Sequence, residues 1–512
     1  MSNRTDFAAI RNGEAVPLGQ VPEMPFTDFR RSIVDGVAAG QRISALFGDT
    51  SAGSDNVDLF AVLADSTQPA LGVGRTRLDG DNFLSLTPDC IQAHLFEREL
   101  AEQFGVHPDG HPWFKPVRFH SSYRLGHDAW GRRPGEVPII GVTDYYRVEG
   151  EEIHEVAVGP VHAGVIEPGH FRFQCYGEQV FHLEISLGYQ HRGAERTLVG
   201  GPHKRTIHTV ETVAGDTSIG HATAYCQAVE ALAGCDLPRR AEVLRGIALE
   251  LERLANHSGD LGALAGDVGF LPTASFCGRL RGDFLNLTAL ICGSRFGRGL
   301  VRPGGVAFDV DATRAHLALE RLEAAFRDVK NAAELLFNSA SVQARFENTG
   351  TVSRETAIAL GLVGPAARAC GLPRDVRHEF PAGRFRFSRP PLATAPDGDV
   401  FARANVRWQE IQNSVSFIRD ELAAISISDE ALVAAAGPLQ PNHLVVSLIE
   451  GWRGEVCHVA LTDAHGRFSR YKIVDPSFHN WMGLAVALRD QQISDFPLCN
   501  KSFNLSYCGH DL

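Results

Sequence analysis

The sequence predicts an α+β protein: a small N-terminal α/β domain, then a mainly helical bundle carrying β hairpins. Three observations predict it. Long segments after residue 238 repeat apolar residues at helical spacing. Two stretches alternate apolar and polar residues around tight-turn pairs, Tyr176–Gly177 and His465–Gly466. The chain has 512 residues, more than one core serves, and its texture changes near residue 150.

In order along the chain, LFAVLAD (59–65) is a short apolar run, and HLFERELAEQFG (94–105) sets Leu95, Phe96, Leu100 and Phe104 near helical spacing. Gly105 is its stop signal. SSYRLGHDAWGRRPGEVP (121–138) is rich in Gly, Pro and Arg and reads as a linker. FRFQCYGEQVFHLEISLG (171–188) is a hairpin candidate. Leu237–Pro238 opens a helix over 239–266, whose apolar stripe is Val243, Ile247, Leu251, Leu254 and Leu261. Further helices are expected at 312–337 and 400–425, and β structure returns over 438–475. The expected division is 1–120, a linker at 121–150, and 151–512.

Composition narrows the function. Hydrophobic content of 44% and charged content of 21% are ordinary for a soluble protein. A net charge of −12 argues against nucleic acid or an anionic membrane surface as a direct partner. The N-terminus lacks the apolar core of a signal peptide, and no run of about 18 apolar residues occurs. The expected location is cytoplasmic. Ten cysteines form no C-x-x-C pair, so they read as small buried apolar residues.

Four clusters could carry chemistry. GPVHAGVIEPGHF (159–171) holds His162 and His170 among glycines and prolines. GYQHRGAER (188–196) packs His191, Arg192 and Glu195 together, either to orient a ligand or to tie a loop to a helix. EGWRGE (450–455) puts Arg453 on a strand-end turn facing a pocket. The tail CNKSFNLSYCGHDL (499–512) suggests a buried end or a metal site. A fifth stretch, ETVAGDTSIGHATAYCQAVE (211–230), reads as an active-site turn running into a helix, with His221 near the helix start. Phosphate loops, H-E-x-x-H and serine elbows do not stand out.

Together, GPVHAGVIEPGHFRF, GEQVFHLEISLGYQHRGAE, GHATAYCQAVEALAG, RGIALELERLANHSGDLGALAGDVGF, RPGGV and EGWRGE resemble the large subunit of formate hydrogenlyase and membrane-bound nickel–iron hydrogenases. The quinone-site subunit of respiratory complex I is in the same family. Residues 94–119 resemble the 30-kDa peripheral-arm subunit of complex I, and 151–512 the hydrogenase large subunit or 49-kDa subunit. In active relatives two C-x-x-C pairs hold the metals. The resemblance places Ala214 and Thr217 at the first pair, and Leu505 and Cys508 at the second, so one thiol of four remains. Soft metals need thiolate donors, which argues against nickel–iron chemistry.

The resemblance implies an iron–sulfur small subunit carrying a [4Fe-4S] cluster and a membrane-arm subunit of the complex I heel type as partners. It implies no cofactor in this chain itself, and membrane attachment on the inner face through those partners. His162, His170, His191, Arg192, Glu195, His221 and Arg453 are then candidates for the wall of a vacated or quinone-binding cavity. Two readings follow: a redox-complex subunit linked to quinone or another electron carrier, or a structural or coupling subunit with no substrate. An open cavity around Thr217, Arg453 and Cys508 distinguishes the first from the second.

Overall fold

The computed structural model describes residues 6–50, 56–133, 135–161, 166–425 and 430–512. The N-terminal part contains strands β1 (Ala8–Ile10) and β2 (Ala15–Pro17), helix α1 (Phe26–Ala38), strands β3 (Arg42–Asp49), β4 (Asp58–Asp65) and β5 (Ala70–Arg77), and helix α2 (His94–Phe104). The order β1-β5-β4-β3 makes an antiparallel sheet, and β3 and β4 are buried almost throughout because helices cover them. Gly105 ends α2 at φ +66°, the left-handed cap its position predicts.

Residues 110–152 form no helix or strand among the described residues and connect to a second sheet of β6 (Ile153–Val158), β7 (His170–Tyr176) and β8 (Gln179–Ser186). The β7–β8 hairpin turns at Gly177. The helices follow: α3 (Ser218–Ala233), α4 (Arg239–Asp267), α5 (Leu271–Cys292), α6 (Ala312–Phe337) and α7 (Val400–Ala424). Helices α4, α5, α6 and α7 pack as a bundle. Helix α5 was not legible as such, because glycines, charged residues and threonines blur its stripe across LPTASFCGRLRGDFLNLTALIC.

The chain closes with strands β9 (His443–Gly451), β10 (Gly454–Thr462) and β11 (Phe468–Val474), helix α8 (Pro476–Ala487) and a last turn of helix, α9 (Tyr507–Asp511). The third sheet has the order β11-β10-β9-β2, so a strand from the first 20 residues completes a sheet made near the C-terminus. The apolar core follows the same logic. Phe29, Phe47, Phe60 and Phe96 share one cluster with Leu444, Val459 and Phe478. The N-terminal part and the C-terminal sheet therefore bury each other's apolar faces. Eight of the ten cysteines are buried, and all ten are free thiols.

Candidate functional site

The turn before α3 is held from several directions. Ser218 Oγ donates to the Glu211 carbonyl at 2.9 Å. Thr217, the residue before the helix, makes no cap; Glu252 on α4 does this, accepting from the Ile219 and Gly220 amides at 2.7 and 3.2 Å. These are orphan N–H groups of a helix start, satisfied by a carboxyl from another helix. Burial pushes Glu252 up to about 8 against the pull of those amides, and Asp216 adds to the rise.

Arg453 stands on the tight turn between the paired Gly451 and Gly454. It is buried and makes a forked contact with Asp216, at 2.6 and 2.8 Å. Its Nε donates to the Asn504 carbonyl, and Nη1 lies 3.4 Å from Thr217 Oγ1. The Asp216 carbonyl accepts from Trp452 Nε1 and Asn256 Nδ2. Asn504 Nδ2 donates to Asp260, which also receives Arg407. The Arg453 guanidinium is thus engaged by a carboxylate and a carbonyl.

His221 is fully buried on α3. Its Nε2 lies 3.1 Å from Asp475, its Nδ1 3.1 Å from His458 Nε2, and His458 Nδ1 2.9 Å from the Tyr471 hydroxyl. Asp475 caps α8 by accepting from the Ser477 amide. Burial works to raise the Asp475 carboxyl; the hydrogen bond and charge of His221, then the charge of Arg453, outweigh it and hold it below its ordinary value. Burial drives His458 well below the ordinary imidazole range.

The C-terminal turn closes the group. Ser506 Oγ accepts from the Gly509 amide at 2.9 Å, capping α9. A Cβ added at Gly509 would stand 2.6 Å from Asp475 Cγ and 2.9 Å from Ser506 Oγ. The half-buried Cys508 thiol lies 3.4 Å from Ser506 Oγ and meets the Gly215 amide; burial, then Glu167, pushes it up to about 12. Leu505 and Ala214 are buried apolar groups. Of this turn, Gly509 thus stands against Asp475 with Ser506 Oγ next to it, while Cys508 lies by Gly215 and Glu167.

The other expected residues are distributed around this centre. Arg192 is exposed; it donates to the Thr212 and Val213 carbonyls, and its amide to the Leu512 carbonyl. His191 Nδ1 lies 2.8 Å from the Asp511 carbonyl, and its ring stacks on His120 with centroids 4.7 Å apart. Glu195 is elsewhere: it is buried against Lys472, Arg470 and the Ile473 amide, tying the short helix Ala194–Leu198 to β11. His170 begins β7, receives Arg172 Nε at 3.2 Å and lies beside Tyr145. His162 falls outside the described residues. The tail is buried, with Asp511 accepting from the Gly188 and Gln190 amides.

Sequence reasoning placed Asp216 in the turn as a possible oxygen donor but not its pairing with Arg453, and it missed Glu252, His458, Asp475, Ser506 and Gly509. Asp475 before Pro476 was readable as a cap. Their partners lie more than 200 residues away. Among the described residues, no group of three or more His, Cys, Asp or Glu side chains is placed to hold a metal ion.

The site lies where a turn runs into a helix and is closed by a C-terminal turn, on a long helical bundle flanked by β hairpins. A family profile described as the respiratory-chain NADH dehydrogenase 49 kDa subunit matches residues 267–511. The carbon monoxide-induced hydrogenase of Rhodospirillum rubrum is 31% identical over 354 residues, 69% of this chain and 97% of that protein. Hydrogenase-4 component G of Escherichia coli K12 is 28% identical over 88% of this chain and 79% of its own length. An NADH-quinone oxidoreductase subunit of Clostridium beijerinckii is 31% identical over 63% of this chain and 87% of its own. The chain belongs to this family of hydrogenase large subunits and complex I 49-kDa-type subunits.

Proposed function

We propose that this chain is the large subunit of a membrane-associated, hydrogenase-like and complex I-like oxidoreductase complex, that it carries no nickel–iron centre, and that it acts as a coupling subunit. The observation that carries this reading is the place of Asp475. Its carboxylate, hydrogen-bonded to His221, stands where a side chain at 509 would extend. A second carboxylate, Asp216, is clamped by Arg453 beside Thr217.

The residues present do not fit the nickel–iron group. Ala214 and Leu505 offer no lone pair, Thr217 and Ser506 offer hydroxyls, and Cys508 is a single thiol held protonated by burial. A binuclear soft-metal centre needs several thiolates. Oxygen donors suit hard ions instead. Arginine–carboxylate and histidine–carboxylate pairs do here the cross-linking that a metal does in a loaded site.

The partners in this reading are an iron–sulfur small subunit with a [4Fe-4S] cluster and a membrane-arm subunit of the heel type. No helix among the described residues is long and apolar enough to cross a membrane, so attachment runs through partners. One observation favours a second reading, electron transfer to a quinone: the half-buried His120–His191 stack supplies imidazole donors.

The test is metal analysis of the intact complex, followed by turnover. Sub-stoichiometric nickel and no hydrogen evolution are expected; one nickel per chain overturns the proposal. Quinone reduction that is lost in His191→Ala, with assembly intact, replaces the coupling reading by the second one.

A further inference from the structure

A separate cavity of about 40 Å³ lies between the start of α2, the end of β8 and α8. One water needs roughly 10–15 Å³ in such a measure, so the space suits a ligand of three or four heavy atoms. Val117, Leu187 and Met482 make part of an apolar wall. The polar groups on it are Arg98, His94, Lys115, Glu184 and Trp481 among others.

Arg98 is the unusual member. It is buried, and its guanidinium lies 4.5 Å from the Trp113 ring centroid. Nε donates to the Lys115 carbonyl at 2.7 Å and Nη2 to the Pro116 carbonyl at 2.8 Å. Its hydrogen bonds thus go to neutral carbonyls. The nearby Glu184 is already engaged by Lys115 Nζ at 2.6 Å and the Tyr146 amide at 2.7 Å. Glu102, the next carboxylate, accepts from the Arg118 and Phe119 amides at 2.8 and 2.6 Å. Lys115 and Glu184 cancel, which leaves the Arg98 charge on the cavity wall without an ion pair of its own among the described residues.

Buried charges are ordinarily paired, so this is an exception that calls for a counter-ion. Consistent with the missing anion, burial pulls Arg98 down to about 10. Burial first, then the charge of Arg98, pulls His94 down to about 3, so it stays neutral and adds no charge. A second, independent observation is Trp481. Its indole N–H is buried without an acceptor among the described residues, and the residue lines the same cavity. Buried donors are rarely left so.

We propose that this cavity binds a small monovalent oxyanion of carboxylate or bicarbonate size, held by the Arg98 guanidinium and the Trp481 indole N–H. The planar fork of arginine matches such an anion, and the indole supplies a further donor. The anion joins α2, from the N-terminal part, to α8, from the C-terminal part, so it fastens the two where their cores meet.

The test uses the full chain, with sodium formate or sodium bicarbonate replacing sodium fluoride at constant ionic strength. The readouts are melting temperature and tryptophan fluorescence. A saturable rise in melting temperature with at least one of the two salts is expected, and comparing them separates a carboxylate from a bicarbonate ligand. Arg98→Met is expected to weaken binding at least about tenfold, since it removes the charged hydrogen bonds. Trp481→Phe is expected to weaken it several-fold and decides the matter where Arg98→Met does not fold. Responses that do not saturate with either salt, or that saturate equally in the deciding variant, overturn the proposal.

Discussion

The His221 centre and the Arg98 cavity are both rich in charge, yet at one the charged groups meet each other and at the other a guanidinium stands beside a cavity of about 40 Å³. Around His221, Arg453 is paired with Asp216 and Arg407 with Asp260, and the His221 ring is hydrogen-bonded to Asp475. Those contacts draw the turn before α3, the β9–β10 turn and the C-terminal turn together. Around Arg98 the carboxylate on the cavity wall, Glu184, is committed to Lys115, and the guanidinium has no ion pair among the described residues. The difference teaches that the pairing of each buried charge matters more than the number of charges. Where cation meets carboxylate the elements are tied together, and where the carboxylate is already taken by another cation the guanidinium is left beside a cavity.

Four changes break or sharpen that contrast. The largest effect is expected from Asp475→Ala, which strips His221 of its acceptor and α8 of its cap. A loss of about 3 kcal/mol is expected by chemical denaturation, since a buried unsatisfied group and a lost cap add. Next, Gly509→Cys forces a side chain against Asp475 and is expected to cost about 2 kcal/mol by overpacking. Adding Asp475→Ser is expected to make the pair about 1 kcal/mol less harmful than the sum of the single changes, measured as a double-mutant cycle.

A third test concerns Glu252. Its folded value, about 8, lies above the ordinary 4.5. Between those values the folded chain holds a proton that the unfolded chain has released. The stability this proton contributes is complete below the ordinary value and is lost as pH rises through the folded one. Melting curves from pH 5 to 8 should therefore fall less steeply for Glu252→Gln than for the parent. The smallest effect is expected at exposed Arg192, where Arg192→Ala should stay within about 0.5 kcal/mol by the same denaturation assay. A large loss there would mean that the surface hydrogen bonds to Thr212 and Val213, and not the buried pairs, hold the turn.

Much of the fold was legible because it follows local rules. Helices α2, α4, α6 and α7 carry apolar stripes at helical spacing, and the β7–β8 and β10–β11 turns are marked by Gly177 and Gly466. Helix α5 escaped because its glycines interrupt the periodicity. Gly278 and Gly282 face open space, while its close contact with α4 is made by Cys277 against Gly262. The pairing of β2 with β9 joins residues 15–17 to 443–445, and no local pattern encodes that. At the site, the turn, His221 and Arg453 were readable as motifs, whereas the partners of Glu195, Arg470 and the Ile473 amide, lie 275 and 278 positions away and have no local signal.

By itself, the sequence determined the α+β class, the family and the thiol-free side chains at Ala214 and Thr217, since each of these is written in short contiguous stretches. Only the tertiary structure decided what surrounds them. Asp216 meets Arg453 across 237 positions and His221 meets Asp475 across 254. It also decided that Arg98 is left without an ion pair among the described residues. The reason is physical: a buried charge is defined by which other charges share its small volume, and that is a property of packing rather than of order along the chain.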